Sequence, residues 1–374
     1  MEKEIYKEHR IDIWILAPVI LLIVFSLGVV YSASSDYAMS RFGDSNYLFK
    51  QHLTKVAMSV VLIFIFAKID YRVYYDIGKY LIWGSILLLI ALFIIGVTVK
   101  NVNRWISLGP IRFQPSDLAK FTIIIYLSRL LVRKKNHLTE LYKGYLPLVF
   151  FIIVVSGLVA LQPNFSTSII IFGSSILLLL TSPVKLKHII ITLISILPLG
   201  ILFIMTKSYI RARIENYADF TSGGSAQHQL NQAIIGLGNG GFFGTGGGYS
   251  VQKQFFLPES YGDFIFSIVG EEYGFIGTVF VILMFSMLLI RGYQVSKNIN
   301  DDFGKYLSFG ITTILIAYAV VNMSVSTGIL PTTGVPIPFI SYGGTALIVN
   351  SVAVGILLNI SMYRNGTYDK NSDI

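Results

Sequence analysis

The sequence predicts an all-α integral membrane protein with about ten transmembrane helices, organised as one polytopic domain over residues 1–374. Of these residues 54% are hydrophobic and only 13% are charged, whereas soluble domains contain roughly 25% charged residues. A membrane-spanning helix needs about 20 mostly apolar residues. Apolar runs of this kind lie near residues 12–32, 53–69, 80–98, 119–133, 144–161, 166–182, 187–206, 264–290, 306–326 and 345–363.

The Lys and Arg residues predict the orientation, because the cytoplasmic loops of membrane proteins are enriched in these residues. With the N-terminus inside, the inner segments hold more Lys and Arg than the outer loops, and the densest cluster, Arg129 to Lys143, falls inside. An even number of spans then places both termini in the cytoplasm. The long loop between the seventh and eighth spans, about residues 207–262, is expected to be extracytoplasmic. The first span is expected to stay uncleaved, because its apolar core is longer than that of a signal peptide.

Composition and motifs exclude several classes of function. The chain has no Cys, so it has neither a disulfide framework nor a thiolate nucleophile. The net charge of +9 does not indicate a nucleic-acid partner, because the positive residues concentrate in the inner loops. Gly236, Gly238 and Gly241 match the spacing G-x-G-x-x-G, but no strand precedes them and no Walker A sequence occurs, so no nucleotide cofactor is expected.

Asp263 is the first candidate functional residue. A polar, glycine-rich loop ends there and a membrane-length apolar helix follows at once. A carboxylate at this boundary suits chemistry on a charged lipid headgroup, and the alternative is an N-cap for a helix beginning at Phe264. Within that helix Glu271 and Glu272 lie two turns into the bilayer, where carboxylates are functional or paired by default. Glu271 is predicted to face the same cleft as Asp263, and Glu272 to contact a neighbouring helix.

Asp117 and Lys120 are predicted to form an ion pair. They lie three residues apart at the start of the fourth span and share one face of a helix. Pro115 and Asp117 also suit the first turn of that helix. A lysine at this depth requires a partner or a wet cavity, so we expect the pair to face an aqueous cleft.

Two further outer segments carry candidate residues. The long loop opens with Arg211 and Arg213, and its residues 227–235 indicate an ordered, partly helical segment. Residues 327–345 are apolar, but three prolines exclude a regular helix, so this segment must pack against protein or line a cavity. Ser341 to Gly344 opens the last helix, where backbone N–H groups can hold phosphate; close helix packing is an equally good reason for the glycines.

In content, order and spacing these segments resemble the SEDS (shape, elongation, division and sporulation) family over nearly the whole chain. Residues 250–253, Ser-Val-Gln-Lys, are more similar to its FtsW branch than to its RodA branch. The blocks that carry the resemblance are Arg104-Trp105, Gln114-Pro115-Ser116-Asp117-Leu118-Ala119-Lys120, Gly240-Gly241 to Lys253, Leu257-Pro258-Glu259, Asp263-Phe264-Ile265-Phe266, Gly270-Glu271-Glu272 and residues 330–344.

The resemblance implies a peptidoglycan glycosyltransferase that polymerises lipid II at the outer face of the bacterial cytoplasmic membrane, with a location at the division septum. It implies Asp263 as the catalytic residue and matches Trp105, Arg112, Gln114 and Lys120 to positions important for activity. It further implies a class B penicillin-binding protein and other divisome or elongasome membrane proteins as partners, and we expect a divalent cation, Mg or Mn, as the cofactor. The residues expected to bind substrate are Trp105, Arg112, Gln114, Asp117, Lys120, Arg211, Arg213, Lys253, Glu271 and Ser341.

The chain departs from the family pattern at three places. The family usually has Glu at position 117, Asp at position 164 and His-Thr at positions 261–262, where this chain has Asp117, Asn164 and Tyr261-Gly262. Asp117 keeps the charge with a shorter reach, whereas Asn164 loses it.

Two alternative functions stay open. A lipid II flippase would need charged groups that continue across the membrane, or an energy-coupling motif, and the polar residues here concentrate at the outer face. A non-catalytic scaffold for a penicillin-binding protein would have no need for Asp263, Lys120 and the loop arginines together.

Overall fold

The computed structural model describes residues 6–7, 11–99, 102–108, 111–218, 225–252 and 261–364. Within these ranges the chain is almost entirely helical, and its twelve α-helices are numbered α1 to α12 in chain order. Their bounds are Ile13–Phe42 (α1), Tyr47–Lys68 (α2), Val73–Ile95 (α3), Pro115–Arg133 (α4), Leu146–Leu161 (α5), Phe165–Leu180 (α6), Leu186–Thr206 (α7), Ser208–Ala218 (α8), Ser225–Asn239 (α9), Ile265–Asn298 (α10), Asp302–Ser326 (α11) and Gly344–Ser361 (α12). A 3₁₀ turn, Lys135–His137, and a π-helical turn, Leu141–Tyr145, precede α5.

Each predicted apolar run falls in one long helix. Eight of the described helices are long and apolar enough to cross a membrane, which supports a multi-pass membrane protein. The other two of the ten predicted helices fall short for different reasons. α4 carries Asp117, Lys120, Arg129 and Arg133, and α6 is only 16 residues long. α5 qualifies because the π-helical turn before it extends the helix to 21 residues, Leu141–Leu161. A total of ten spans therefore stays a prediction.

The core is built around α4, which is buried on nearly all sides. α4 packs against α3 and α11, and α11 also packs against α6 and α10. α12 lies along α2, and α1 packs on both α2 and α10. By contrast only Ile189 of α7 is buried, so the apolar surface of that helix is left for lipid.

Two small sheets were not predicted. Strands β2 (Val97–Val99), β3 (Val102–Leu108) and β4 (Ile111–Phe113) form an antiparallel meander between α3 and α4. The alternation of β-branched and aromatic residues with polar ones favours this conformation. Strands β1 (Tyr6–Lys7) and β5 (Tyr363–Arg364) pair the two ends of the described chain.

The helix α10 is interrupted at Gly274, whose backbone has φ 65 and ψ −158. Residues 241–246 lie against this break and replace the missing helical hydrogen bonds with their own backbone groups. Because unsatisfied backbone groups are very costly in lipid, the break depends on this contact. The bonds run from Thr245 N to Glu271 O (2.9 Å), from Gly246 N to Glu272 O (3.0 Å), from Phe275 N to Gly241 O (2.9 Å) and from Ile276 N to Phe242 O (3.4 Å).

Glycines make this approach of two backbones possible. A Cβ atom on Gly240 would lie 1.9 Å from the carbonyl oxygen of Gly270, and one on Gly244 would lie 2.2 Å from that of Glu272. These contacts explain the glycine-rich stretch after α9 as a packing requirement.

We expect Gly274→Ala to destabilise the protein by more than about 1 kcal/mol, because Ala at positive φ is strained. In addition its Cβ would lie 2.4 Å from the backbone nitrogen of Gly244. Thermal unfolding of the purified protein in detergent measures the effect. Gly238→Ala is the matched control, since a Cβ there meets nothing within 4 Å. Equal unfolding temperatures for the two variants would contradict the account of the helix break.

Candidate functional site

The backbone of the turn that carries Asp263 is held by residues 335–342. The Tyr261 carbonyl accepts the N–H of Tyr342 (2.9 Å), and the Gly262 carbonyl accepts the Ser341 hydroxyl (2.8 Å). The Asp263 carbonyl accepts the amide of Asn322 (2.8 Å), a buried residue of α11. Three successive carbonyls are therefore fixed, and the Cα and Cβ atoms of Asp263 are positioned with them.

Asp263 is not the N-cap residue of α10. The helix begins at Ile265, and Phe264 occupies the N-cap position. The predicted alternative, in which Asp263 caps a helix that starts at Phe264, is therefore wrong.

The Asp263 carboxylate and the Arg213 guanidinium both lie close to Gly334. A Cβ atom built on Gly334 would lie 3.5 Å from the Asp263 Oδ2 and 4.0 Å from the Arg213 Nη2. The other guanidinium nitrogen, Nη1, donates to the Thr333 carbonyl at 3.2 Å. Gly334 itself has φ 71, so the absence of a side chain both permits this backbone and leaves room for the two charged groups.

Arg104 completes the charged group around Asp263. Burial lowers the pKa of its guanidinium and the nearby Arg213 lowers it further, whereas Tyr209 and Asp263 raise it. Its Nη2 donates to the Pro163 carbonyl. Arg104 belongs to the Arg104-Trp105 block of the family resemblance, but no contact with substrate was predicted for it. Its place beside Asp263 was therefore not predicted.

Arg211 and Arg213 have different neighbours, and the contacts with substrate that were predicted for both stay predictions. The two arginines lie two residues apart on α8 and thus about 200° apart around the helix axis. Arg213 contacts residues 333–334, whereas Arg211 is exposed and pairs with Glu215 at 3.6 Å. Only Arg213 belongs to the group around Asp263.

This separation gives a direct test. We expect Arg213→Gln to lower the polymerisation rate about 100-fold, the usual loss when one stabilising donor is removed from an active site. Arg211→Gln should change the rate less than about twofold, because its exposed ion pair contributes little. Initial rates with labelled lipid II measure both. Equal losses in the two variants would show that the assignment of Arg213 to the site is wrong.

The predicted ion pair between Asp117 and Lys120 is confirmed. The Lys120 Nζ lies 3.4 Å from the Asp117 Oδ1, and both side chains are nearly inaccessible to solvent. The Asp117 Oδ2 accepts the hydroxyl of Thr345 at 3.0 Å. The Lys120 Nζ also lies 4.3 Å from the centroid of the Tyr318 ring, which stabilises a cation.

The pair does not face a wide aqueous cleft in the described part of the chain. Lys120 instead lines a cavity of about 10 Å³ between α4, α11, α12 and residues 336–343. That volume suits about one water molecule. Asn350 lines the same cavity, and its buried Oδ1 has no hydrogen-bond partner among the described residues.

Three helices begin beside this site. The N-cap residue of α4, Gln114, donates its backbone N–H to Thr345 of α12 (3.3 Å), and Ser341, just before α12, bonds Gly262, just before α10. Each N-terminus carries a partial positive charge. Together with Arg104 and Arg213, these termini make the neighbourhood of Asp263 attractive to anions.

Of the other residues predicted to contact substrate, some bond to groups of the protein and others lie outside the described residues. Trp105 is half-buried and pairs through its backbone with Val97, and the Gln114 side chain donates to Ser116 at 2.9 Å. Ser341 holds the turn before Asp263 and also accepts the N–H of Ile337 (3.0 Å). The side chain of Arg112 and the whole of Lys253 lie outside the described residues. Their contacts with substrate stay predictions.

Asn164 makes use of its amide group. The buried side chain donates from Nδ2 to the Ser116 hydroxyl at 3.3 Å, next to the first turn of α4. A carboxylate at this position would have no hydrogen to donate. Asn164, which replaces the usual Asp of the family, thus makes a hydrogen bond in which its amide is the donor.

Glu271 and Glu272 point to different partners. The Glu272 carboxylate accepts the Ser32 hydroxyl of α1, which confirms the predicted contact with a neighbouring helix. The Glu271 carboxylate accepts the Ser250 hydroxyl and the Val251 N–H. Glu271 thus fastens the end of the glycine-rich segment to α10, and a direct contact with substrate stays a prediction.

The second part of the irregular segment, residues 335–341, is packed as predicted, whereas Ile329 and Leu330 in its first part are exposed. Val335, Ile337, Phe339 and Ile340 are all buried. The polar groups of its backbone bond to residues such as Asn322, which donates to the Val335 carbonyl at 2.7 Å. This buried part of the segment therefore supports the Asp263 turn through the bonds of Ser341 and Tyr342.

Comparison with known proteins defines the class. A family model described as "Cell cycle protein", covering FtsW, RodA and SpoVE, matches residues 13–366. The chain is 37% identical to the probable peptidoglycan glycosyltransferase FtsW of Geobacter metallireducens, over 96% of both chains. It is 33% identical to the corresponding FtsW of Bacillus subtilis, over 97% of this chain and 93% of that one. It is 32% identical to stage V sporulation protein E of Bacillus subtilis, over 96% and 98%.

Solved structures show the same fold. One chain from a structure of a peptidoglycan synthase complex aligns with a TM-score of 0.78 at 21% identity, covering 94% of this chain and 98% of that one. The rod shape determining protein RodA of Thermus thermophilus aligns with a TM-score of 0.70 at 20% identity, covering 94% and 97%. The fold and site thus define a polytopic membrane protein of the RodA type. This chain belongs to the FtsW/RodA/SpoVE family.

Proposed function

We propose that this protein is a peptidoglycan glycosyltransferase that polymerises lipid II into glycan strands at the outer face of the bacterial cytoplasmic membrane. Family membership and the names of the relatives support the reaction class. The observation that carries the proposal is that the Asp263 carboxylate and the Arg213 guanidinium converge on Gly334, where a Cβ atom would lie 3.5 Å from the Asp263 Oδ2 and 4.0 Å from the Arg213 Nη2. A proton acceptor and a fixed positive charge are what this glycosyl transfer requires.

The proposal includes the topology predicted from the sequence. Ten spans with both termini in the cytoplasm place the starts of α4, α10 and α12 at the outer face together. Their direct hydrogen bonds support this arrangement, because the three helix starts must then lie at the same depth. Lipid II could then enter from the bilayer while its sugars stay in water outside.

Asp263 is assigned as the general base. The reaction joins the 4-hydroxyl of one sugar to the anomeric carbon of another. The ionised carboxylate accepts the hydroxyl proton as the C–O bond forms, which is how a weak alcohol nucleophile is activated. The bond from the anomeric carbon to the polyprenyl pyrophosphate breaks, and the electron pair leaves with the pyrophosphate.

Arg213 and Arg104 are assigned to the leaving pyrophosphate. Negative charge develops on its bridging oxygen in the transition state, and positive groups fixed in advance stabilise it without reorganisation. Guanidinium groups bind phosphate oxygens in a bidentate manner. The Thr333 carbonyl at 3.2 Å holds the Arg213 side chain in place before substrate arrives.

The described residues do not fit a site in which protein groups alone hold a divalent cation. No group of three or more His, Cys, Asp or Glu side chains in the described ranges is arranged to bind a metal. The carboxylate of Asp263 instead lies beside the guanidinium of Arg213. We therefore derive no step through a cation, and the need for Mg or Mn stays a prediction.

We also propose a class B penicillin-binding protein as the partner and the division septum as the location. Support for the partner comes from the structural match to a chain of a peptidoglycan synthase complex, whose description couples polymerization to crosslinking. Support for the septum comes from the relatives named FtsW. Other divisome or elongasome membrane proteins are expected to join this assembly.

The experiment that tests the function is polymerisation of labelled lipid II by the purified protein, with and without a penicillin-binding protein and a divalent cation. Glycan strands of increasing length would support the glycosyltransferase. Transfer of lipid II across vesicle membranes without strands would favour the flippase alternative. If the protein neither polymerised nor transferred lipid II but bound the penicillin-binding protein, it would be a scaffold.

A further inference from the structure

Lys55 is a cation that has no acidic partner among the described residues, and it lies on a membrane-facing helix. It lies in α2, about 12 Å from the start of that helix at roughly 1.5 Å per residue, and it is half-buried. No carboxylate among the described residues lies within 4.0 Å of its Nζ. Lys50 on the same helix is exposed and pairs with Asp44 at 3.0 Å. Since a lysine at depth is costly without a partner, Lys55 is the group to explain.

The Lys55 ammonium lies against an aromatic ring, that of Tyr342, in the segment that holds the Asp263 turn. Its Nζ is 4.2 Å from the centroid of the Tyr342 ring. The backbone N–H of Tyr342 bonds the Tyr261 carbonyl at 2.9 Å, and its hydroxyl donates to the Gln51 Oε1 at 2.8 Å. The ring is therefore held at both ends, and Lys55 keeps a fixed position relative to Asp263.

His52 adds a second polar group on the same side of α2. It precedes Lys55 by three residues, so the two side chains share a helix face. Its ring lies 5.9 Å from the Tyr342 ring, and its Nε2 is 2.9 Å from the Ser26 hydroxyl. The side chain is fully buried, and its Nδ1 has no hydrogen-bond partner within the described structure. The Ser26 hydroxyl donates to the Ile23 carbonyl at 2.6 Å, so the His52 Nε2–H donates to Ser26 and the ring fixes the start of α2 against α1.

Arg213 and Lys55 contact opposite ends of the segment of residues 333–342. Arg213 bonds Thr333, whereas Lys55 lies on Tyr342, and the Asp263 turn is attached along this segment. Glycosyl transfer between lipid-linked sugars brings together two molecules, and each carries a pyrophosphate. Two such anions repel each other at short range, so an enzyme that holds both needs two separate positive groups.

We propose that Lys55, held against the Tyr342 ring, binds the phosphate-bearing headgroup of the second lipid-linked substrate. This proposal rests on the proposed function. Arg213 and Arg104 hold the pyrophosphate that leaves, and Lys55 holds the one that is retained, so that the two sugars meet at Asp263. The ligand chemistry is a lipid phosphate, which polyprenyl pyrophosphate and bulk anionic phospholipid both offer.

The test is equilibrium binding of undecaprenyl pyrophosphate to wild-type protein in phosphatidylcholine nanodiscs, where no glycosyl transfer occurs. We expect two molecules to bind per protein. Lys55→Gln should weaken one of the two at least about tenfold, the loss of one charge-assisted hydrogen bond, and Lys55→Arg should restore it. Lys50→Gln is the matched control and should bind both molecules as the wild type does.

A parallel series in nanodiscs that contain phosphatidylglycerol identifies the source of the phosphate. If phosphatidylglycerol displaces the molecule that depends on Lys55, the site is one for bulk phospholipid and the substrate assignment is overturned. Wild-type binding by Lys55→Gln would overturn the site itself and leave Lys55 with a structural role beside Tyr342.

Polymerisation assays separate this proposal from the proposed function. Lys55→Gln should raise the KM for lipid II about tenfold, with kcat less affected, since the retained headgroup is bound equally before and during the reaction. Failure of the wild type to polymerise would reject the glycosyltransferase. Active wild type with an unchanged KM in Lys55→Gln would reject only the second headgroup site.

Discussion

Asp263→Asn is expected to abolish lipid II polymerisation while the protein stays folded. The substitution keeps the shape of the side chain but removes the proton acceptor, and general base catalysis contributes typically 10²–10⁴-fold to a rate. The backbone bonds that hold the turn use carbonyl groups of residues 261–263, so they survive the change. Gel analysis of labelled glycan strands, together with the thermal unfolding temperature, measures both expectations.

Asp44→Asn is the matched control for this experiment. Asp44 is another carboxylate, in the segment between α1 and α2, and it bonds the exposed Lys50 rather than a residue of the Asp263 turn. We expect its variant to polymerise at the wild-type rate. Polymerisation by Asp263→Asn within tenfold of that rate would mean that another group removes the proton.

Asp117→Ala is expected to cause the largest loss of stability. It would leave the Lys120 ammonium buried with only the aromatic ring of Tyr318 close by. Removal of one partner from a buried ion pair typically costs about 3–5 kcal/mol. The unfolding midpoint in detergent should therefore fall sharply, and the hydroxyl of Thr345, which donates to Asp117, would also lose its partner.

A double-mutant cycle separates the charge from the packing. Replacement of both partners, in Asp117→Ala with Lys120→Met, should restore part of the stability because no buried charge is left unpaired. The exposed pair of Asp44 and Lys50 is the control, and Lys50→Met should leave the midpoint unchanged. A double variant less stable than Asp117→Ala alone would contradict the account of Lys120 as a buried cation that requires its carboxylate.

Local geometry was the part of the site that the sequence could predict. Asp117 and Lys120 pair because three residues along a helix return to one face, and Pro115 begins that helix as expected. Glu272 contacts α1 because it points away from the direction of Glu271. These predictions needed only the period of a helix.

Contacts between distant segments could not be predicted in the same way. Whether Arg211 or Arg213 faces Asp263 depends on α8, a short helix that was not predicted. The partners of Glu271 come from residues 250–251, which reach it only because residues 241–246 lie against the break in α10. The apolar run of α10 gives no sign of that break, since one glycine among many is common in membrane helices.

The break in α10 also bears on how the protein is made. Most membrane helices satisfy their own backbone and can therefore enter the bilayer one at a time. The backbone groups of Glu271, Glu272, Phe275 and Ile276 bond residues 241–246 instead, so this span reaches its final shape only after a tertiary contact has formed. Residues 241–246 leave the ribosome first and must wait for their partner. Insertion and assembly are thus one event for the helix that follows Asp263, and an incompletely assembled chain would expose polar backbone where a protease or chaperone could detect it.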